Sequence, residues 1–280
     1  MGSRNDEQIE YWNGPGARRW VRHQELLDRM LEPFGRAALE AARVCPGERV
    51  VDVGCGCGTT SLALAAAVGD AGTVLGADLS APMVEVARSR ARDRSLGNAH
   101  FVAADASEHA FGAQFDLVFS RFGVMFFADP TRAFAHLRGA LREGGRVAFV
   151  CWGPVAENPW FRVPMAAAGT VIPLPEPTPP GAPGPFSLAD RTRLQGILQA
   201  AGFGAIEIAR SAPPFLLGAD LDDAATNAID TGPVSRLLLD VDEATRMRVR
   251  GAIREQLEAR ASAGGVVLSS EAWVVTARPA

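Results

Sequence analysis

Short apolar runs alternate with longer segments of helical periodicity between Gly47 and Trp152. The runs predict five strands, at residues 49–53, 73–78, 100–105, 116–120 and 146–152. Residues 147–150 are continuously apolar, which is typical of a strand that is buried on both faces. Strands and helices in regular alternation pair in parallel through right-handed crossovers. The pattern therefore predicts an α/β fold built on a doubly wound, mostly parallel sheet.

Helix starts are marked by local signals. Ser80 precedes Ala81-Pro82, and Asp129 precedes Pro130, so each offers an N-cap followed by proline in the first turn. At the N-terminus, Gly14-Pro15-Gly16 signals a turn and a hinge, and a helical run over residues 18–42 follows. Trp20, Leu27 and Leu31 recur there at helical spacing, which predicts an amphipathic helix. We expect residues 1–44 to form a helical lid over the site; the alternative is an ordinary N-terminal helix packed on the edge of the sheet.

The regular alternation of strands and helices ends after Trp152. Residues 171–185 are proline-rich, which predicts a stiff surface loop. A helix is expected over residues 188–201, a strand over 206–209, mostly helix over 216–262 and a last strand over 272–277. These elements predict one domain, residues 1–280, made of the lid (1–44), a core (45–152) and helical insertions on the substrate side at 153–186 and 211–264.

Composition and charge exclude several classes of protein. Of 280 residues 48% are hydrophobic and 21% charged, which is ordinary for a globular protein. The net charge of −4 argues against a nucleic-acid partner, because phosphate binding needs a basic surface. No apolar run reaches the roughly 18 residues of a membrane helix, and residues 1–10 are too polar for a secretory signal. We expect a cytoplasmic protein with no membrane association.

The four cysteines predict neither a disulfide framework nor a metal site. Cys55 and Cys57 alternate with glycines, and no other cysteine or histidine pair completes a metal-ligand spacing.

The segment Asp52-Val53-Gly54-Cys55-Gly56-Cys57-Gly58-Thr59 carries the chemistry. It reads as a strand, a glycine loop that lets the backbone approach a ligand, and a helix N-terminus with free N–H groups. A dinucleotide fingerprint needs Gly or Ala where this chain has Thr59. Asp52 would repel a pyrophosphate but attract the amino group and sulfonium of an aminoacyl ligand. A tight turn that binds nothing is the remaining alternative.

Polar residues end the neighbouring strands. Asp78 follows the second strand, where it can accept both hydroxyls of a ribose, Asp105 ends the third and is placed to accept from an adenine amino group, and Ser120 ends the fourth. The carboxyl ends of parallel strands are where ligands bind in such sheets. Together with Asp52 they predict one site at this edge.

These segments resemble the class I methyltransferases that depend on S-adenosylmethionine (SAM). The resembling stretches are residues 51–58, 76–83, 104–106, 115–127 and 141–146, and the likeness is strong over residues 45–152. It is greatest to the broad group that contains quinone-biosynthesis C-methyltransferases and many small-molecule enzymes. The resemblance implies a Rossmann-like, seven-stranded sheet with a reversed last strand, SAM as donor and S-adenosylhomocysteine (SAH) as product.

The resemblance also assigns donor-site residues. Gly54, Gly56 and Gly58 would line the methionine moiety, Asp78 the ribose, and Leu79, Met83, Asp105 and Ala106 the adenine. Our full set of candidate donor-binding residues is Tyr11, Asp52, Gly54, Cys55, Gly56, Gly58, Asp78, Leu79, Met83, Asp105, Ala106 and Ser120.

Two departures narrow the substrate. Metal-dependent catechol-type relatives place acidic ligands after the fourth strand, where this chain has Ser120-Arg121-Phe122, so no metal is expected. Enzymes that methylate amino groups of nucleic acids carry a polar-Pro-Pro-aromatic tetrapeptide there, and it is absent. Both departures favour a small-molecule acceptor.

The catalytic residues are not fixed by the sequence. Methyl transfer is an in-line displacement, so positioning matters most and a base is optional. Tyr11 and His23 are candidates for a base or an orienting group, against the alternative that each is packed or solvated. We expect His100 to lie in a buried strand and His136 on a helix, both structural.

Aromatic residues gather where the acceptor is expected and favour an apolar or aromatic acceptor; they are Phe122, Phe126, Phe127, Trp152, Trp160, Phe161, Phe186 and Phe215. The alternatives are a SAM-binding enzyme of natural-product biosynthesis that transfers no methyl group, a non-enzymatic SAM-binding protein and, disfavoured by Thr59 and Asp52, a nicotinamide oxidoreductase. The oligomeric state stays open.

Overall fold

The computed structural model describes residues 6–112 and 114–280. The helices in this part are α1 (Asp6–Asn13), α2 (Pro15–Arg22), α3 (Gln24–Ala42), α4 (Thr59–Val68), α5 (Ala81–Asp93), α6 (Pro130–Ala140), α7 (Pro159–Ala168), α8 (Arg191–Ala200), α9 (Leu221–Asp230), α10 (Val234–Leu237) and α11 (Glu243–Leu257). The strands are β1 (Arg49–Val53), β2 (Thr73–Asp78), β3 (Ala99–Ala103), β4 (Phe115–Arg121), β5 (Leu141–Trp152), β6 (Phe203–Ser211), β7 (Phe215–Gly218), β8 (Ala261–Ser262), β9 (Gly265–Leu268) and β10 (Ala272–Pro279).

Seven strands form the central sheet, in the order β3-β2-β1-β4-β5-β10-β6. The pairs among β1 to β5 are parallel, and β10 runs antiparallel to both β5 and β6. The strand order reverses at β1, which pairs in parallel with β2 on one side and with β4 on the other. The predicted Rossmann-like sheet with a reversed last strand is confirmed.

The middle of the sheet is the core of the molecule. The first six residues of β4 are buried, and so are residues 50–53 of β1. Helix α3 packs its buried face against β4, β5 and β10, with Phe34 fully buried among them. Apolar strands covered on both faces are what an α/β sheet requires.

The predicted N-caps are confirmed. The Ser80 hydroxyl accepts from the N–H of Met83 at 3.4 Å, and the Asp129 carboxylate accepts from the N–H of Arg132 at 3.0 Å. Each helix begins at the following residue, with its proline in the first turn. These caps fix the directions in which α5 and α6 leave the carboxyl edge of the sheet.

Some predicted bounds are wrong. The third strand ends at Ala103, so Asp105 lies two residues beyond it, and the fourth extends past Ser120 to Arg121. His100 is exposed, because β3 is an edge strand. The expected single helix over residues 18–42 is broken at His23, which ends α2 and begins α3.

The second insertion is also not purely helical. Besides α9, α10 and α11 it holds a small antiparallel sheet in the order β7-β9-β8, whose last strand, β9, continues to Leu268. Of the expected lid, residues 1–5 lie outside the described residues. Among the described residues, no helix is both long and apolar enough to span a membrane.

Candidate functional site

The glycine loop between β1 and α4 bends through left-handed backbone. Gly54, Gly56 and Gly58 have φ values of 69°, 53° and 83°. A Cβ at Gly54 would lie 2.6 Å from the Cα of Gly123, which follows β4. Only glycine fits at that approach, so the loop is held against the carboxyl end of β4.

Asp52 is a buried carboxylate with one unused oxygen. Its Oδ2 accepts from the hydroxyls of Thr60 at 2.7 Å and Ser61 at 2.6 Å. Its Oδ1 is buried and has no hydrogen-bond partner in the described residues. Burial raises the pKa of Asp52 to about 6, although the two hydroxyls and the charge of Arg121 lower it. A buried acceptor of this kind suits a cationic donor group.

Asp78 ties the end of β2 to the glycine loop. Its Oδ2 accepts from the N–H of Gly56 and its Oδ1 from the N–H of Ser80, both at 2.8 Å. Burial raises the pKa of Asp78, against the lowering effect of these two bonds. Each oxygen keeps a further lone pair, so the carboxylate can accept from a ligand without losing the loop.

The expected adenine-side residues surround the end of β2. The Asp105 Oδ1 accepts from the N–H and the hydroxyl of Ser107, at 2.9 and 2.7 Å. Met83 and Ala106 are buried, and Leu79 is partly exposed. Asp105 therefore shapes its own turn as well as lying near the predicted site.

Ser120 and Cys55 have structural contacts. The Ser120 hydroxyl donates to the carbonyl of Val53 at 2.7 Å and accepts from the N–H of Gly123 at 3.1 Å, so it locks β4 to β1. Cys55 is buried, and burial raises the pKa of its thiol. The Cys55 side chain packs among apolar residues of α4, α5 and β3.

Helices α1 and α2, which we call the N-terminal cover (Asp6–Arg22), lie over the glycine loop. Ala17 packs with Cys57 of the loop and Met83 of α5. The indole nitrogen of Trp20 lies 3.8 Å from the position that a Cβ would take at Gly56. The cover therefore contacts the loop directly, whereas α3 belongs to the core.

Asn13 fastens this cover to the end of β2. Its Nδ2 donates to the carbonyl of Leu79 at 2.9 Å, and its Oδ1 accepts from the N–H of Ala81 at 3.0 Å. The sequence identified the adjacent turn but not this contact. Its only local signal is an amide residue beside a Gly-Pro-Gly turn.

A polar cluster that the sequence analysis missed joins α3 to the loop. The Asp28 carboxylate accepts from the hydroxyl of Thr59 at 2.6 Å, and forms ion pairs with Arg90 at 3.2 Å and Arg121 at 3.4 Å. Arg90 also donates to the carbonyl of Cys57 at 2.7 Å. The signal was available, because Asp28 interrupts the apolar stripe of α3.

Of the two candidate catalytic residues, Tyr11 has the richer surroundings. Its hydroxyl accepts from Arg19, and its ring lies beneath the guanidinium of Arg236, 4.6 Å from the ring centroid. His23 lies at the junction of α2 and α3, partly buried. Among the described residues its side chain has no hydrogen-bond partner.

Aromatic rings continue from the end of β4 across the ends of β5 and α7. Phe122 stacks on Trp152 with centroids 4.2 Å apart, Trp152 meets Trp160 at 4.6 Å, and Trp160 stacks on Phe215 at 5.1 Å. Phe122 holds a φ of 61°, which is unusual for a bulky residue and is typical of functional sites. On the other side, Trp12 contacts Phe126 at 5.4 Å.

The remaining histidines play the expected structural part or face solvent. The Nε2 of His136 forms a hydrogen bond with the carbonyl of His109 at 2.8 Å, and His100 is exposed. Within residues 6–112 and 114–280, no three metal-ligating side chains come together.

Comparison with known proteins identifies the family of this domain. Residues 50–145 match the family described as "Methyltransferase domain". The chain belongs to the class I SAM-dependent methyltransferases. The family and its donor, SAM, are thus as predicted from the sequence.

Relatives with printed activities match parts of the chain. Aklanonic acid methyltransferase DauC of Streptomyces sp. (strain C5) is 39% identical over 42% of this chain and 54% of its own length. The C-methyltransferase UbiE of Vibrio campbellii is 33% identical over 40% and 44%. O-methyltransferase cnsE of Penicillium expansum is 32% identical over 71% of this chain and 66% of its own. The chain thus spans about half the length of the first two relatives.

Solved structures share the fold. The YcgJ protein of Bacillus subtilis superposes with a TM-score of 0.59 and 17% identity, over 88% of this chain and 98% of its own. At that identity the likeness concerns the fold alone.

Proposed function

We propose that this protein transfers the methyl group of SAM to a small apolar or aromatic metabolite. The observation that carries the proposal is the row of aromatic rings, Phe122 to Phe215, that begins at the end of β4 beside the glycine loop. Pockets for small molecules are mostly lined by such side chains, with a few polar groups that orient the ligand. The names of the relatives support the same substrate class, since they include a methyltransferase of aklanonic acid and one of ubiquinone and menaquinone biosynthesis.

We assign the donor contacts as follows. The free Oδ1 of Asp52 accepts from the donor's ammonium group, and Gly54, Gly56 and Gly58 lie along the methionine moiety. Asp78 accepts from the ribose hydroxyls with the lone pairs that Gly56 and Ser80 leave available. The adenine lies among Leu79, Met83, Asp105 and Ala106, while Cys55 and Ser120 hold the loop and Tyr11 closes the site from above.

The protein's own part in the chemistry is alignment. When bound, the donor supplies an activated sulfonium methyl group, and the nucleophile takes the methyl as the sulfur keeps the bond's electron pair, giving SAH. The glycine loop would hold the methionine end of the donor, and the aromatic row would hold the acceptor in line with it. The cover excludes water, and Tyr11 orients the acceptor. His23 has no described contact that joins it to this geometry.

The test is a transfer assay with methyl-labelled SAM and a panel of aromatic hydroxy, keto and carboxylic compounds, with EDTA present throughout. We expect labelled product and SAH in equal amounts. Consumption of an acceptor without SAH would instead support a non-methylating enzyme, and SAM binding without any reaction a non-enzymatic SAM-binding protein.

Two glycine variants provide matched controls. Gly56→Val and Gly69→Val both place a branched residue at positive φ, 53° and 65°. Gly69 ends α4 with nothing within 4 Å of its Cβ position. Gly56 lies in the loop, and its Cβ position is 3.8 Å from the indole nitrogen of Trp20 in α2. Circular dichroism checks that both variants fold. Gly56→Val should lose SAM binding and transfer while Gly69→Val retains both; equal behaviour of the two would refute the assigned donor site.

A further inference from the structure

Two arginines meet at Tyr11. The Arg19 carbon Cζ lies 5.9 Å from the Tyr11 ring centroid and the Arg236 Cζ lies 4.6 Å from it. Arg19 belongs to α2 of the cover, and Arg236 belongs to α10 of the second insertion. Two elements far apart in sequence thus place like charges on one aromatic ring.

The described residues supply no counter-ion for either arginine. Among the described residues, neither guanidinium forms an ion pair with a carboxylate. The Nη1 of Arg19 is buried and has no hydrogen-bond partner in the described part of the chain. A buried donor without an acceptor is costly.

The geometry suits an anion. A guanidinium offers a planar fork of N–H donors that matches a carboxylate. The Tyr11 hydroxyl already accepts from Arg19, so its own hydrogen points away and can be donated to the same anion. Arg236 is exposed, which leaves the group reachable from solvent.

The location favours the acceptor as the source of the anion. Helix α10 packs on α9 and α7, and α7 carries Trp160 of the aromatic row. Tyr11 itself contacts Trp12 at 5.1 Å, and Trp12 contacts Phe126 after β4. The arginine pair is thus linked to the aromatic residues through Trp12 and through the packing of α10 on α7.

Building on the proposed function, we propose that the acceptor carries an anionic group, a carboxylate or an ionised phenol, which Arg19 and Arg236 bind above Tyr11. The aromatic row binds the apolar body, and the arginines select for the charge. This makes Arg19 and Arg236 specificity-determining residues rather than part of the donor site.

The test measures binding and does not depend on turnover. Naphthalene-2-carboxylate and naphthalene-2-carboxamide have the same shape and differ in charge. Their affinities for the full-length protein saturated with SAH are measured by calorimetry at low salt. We expect the carboxylate to bind about tenfold tighter. Equal binding of the two probes, or no binding of either, would overturn the proposal.

Variants test whether Arg19 and Arg236 cause the preference for the carboxylate probe. Arg19→Gln and Arg236→Gln should each reduce it to about twofold and leave SAH affinity unchanged. The matched controls are Arg22→Gln, one turn along α2 and exposed, and Arg248→Gln, exposed on α11 of the same insertion; both should keep the preference. If SAH affinity falls in Arg19→Gln and Arg236→Gln, the anion is the donor's own carboxylate and the proposal is wrong. If the parent protein prefers the carboxylate probe but transfers a methyl group to no acceptor, the proposed function is refuted while the anion site stands.

Discussion

The unused oxygen of Asp52 predicts how donor affinity depends on pH. The pKa of Asp52 is about 6 in the unliganded protein, because burial outweighs its two hydroxyl partners. If an ammonium group pairs with Oδ1, the bound-state pKa returns to its ordinary value of 3.8 or below. Near pH 5 about nine-tenths of the free protein must then lose a proton to bind, and affinity falls about tenfold from its value near pH 7.

The assay is calorimetric titration with SAH, kept below about pH 7 so that the ligand's own amino group stays charged. Asp52→Asn preserves an acceptor for Thr60 and Ser61 but carries no charge. We expect this variant to bind more weakly near pH 7 and to lose most of the pH dependence. A flat profile in the parent, or an unchanged slope in the Asn variant, would refute the pairing of Asp52 with the ammonium group.

The same substitution should change stability in the opposite direction. Since the folded-state pKa is above the unfolded value, the charged form of Asp52 destabilises the unliganded fold as pH rises from about 4 to about 6. Asp52→Asn removes that charge and should stabilise the unliganded protein near pH 7 by on the order of 1–3 kcal/mol. Structural relaxation around the new amide sets where in this range the value lies. Thermal unfolding across this pH range measures it, and no gain in Tm would show that the charge is better solvated than its burial indicates.

Two further variants test the contacts around β2. Asp78→Ala should weaken SAM binding by about 1–3 kcal/mol, because ribose hydroxyls lose their acceptor. Asp70→Ala, exposed at the opposite edge, is the calorimetric control, and equal affinities would remove Asp78 from the site. Asn13→Ala removes both bonds to Leu79 and Ala81 and should speed hydrogen exchange in α1 while weakening SAH binding severalfold. Unchanged exchange would mean that packing alone holds the cover.

The central sheet could be predicted because its signals are local. Strands β1 and β4 are apolar runs buried on both faces, and Ser80 and Asp129 cap helices with their own neighbours. The exposure of β3 could not be predicted in the same way, because its sequence does not show that it is an edge strand. His100 was misplaced for this reason.

Features that depend on distant partners were missed. Strands β7 and β9 have four residues each and pair across the whole second insertion, so neither has enough local pattern to be recognised. The break at His23 has no glycine or proline to mark it. Asp52 and Asp78 could be proposed for the site because they lie at strand ends, whereas the contacts of Asn13 and Asp28 depend on partners that only the fold brings near.

The attachment of the N-terminal cover bears on the timing of the catalytic cycle. A donor seated on the glycine loop would be enclosed by α1 and α2, which are held by the paired bonds of Asn13 and by the packing of Ala17 on Cys57 and Met83. Its exit then requires these two helices to detach, an event of local unfolding whose rate is set by contacts that never touch the reacting atoms. The stability of the N-terminal cover would therefore set how long SAH stays bound, and with it the rate of steady-state turnover.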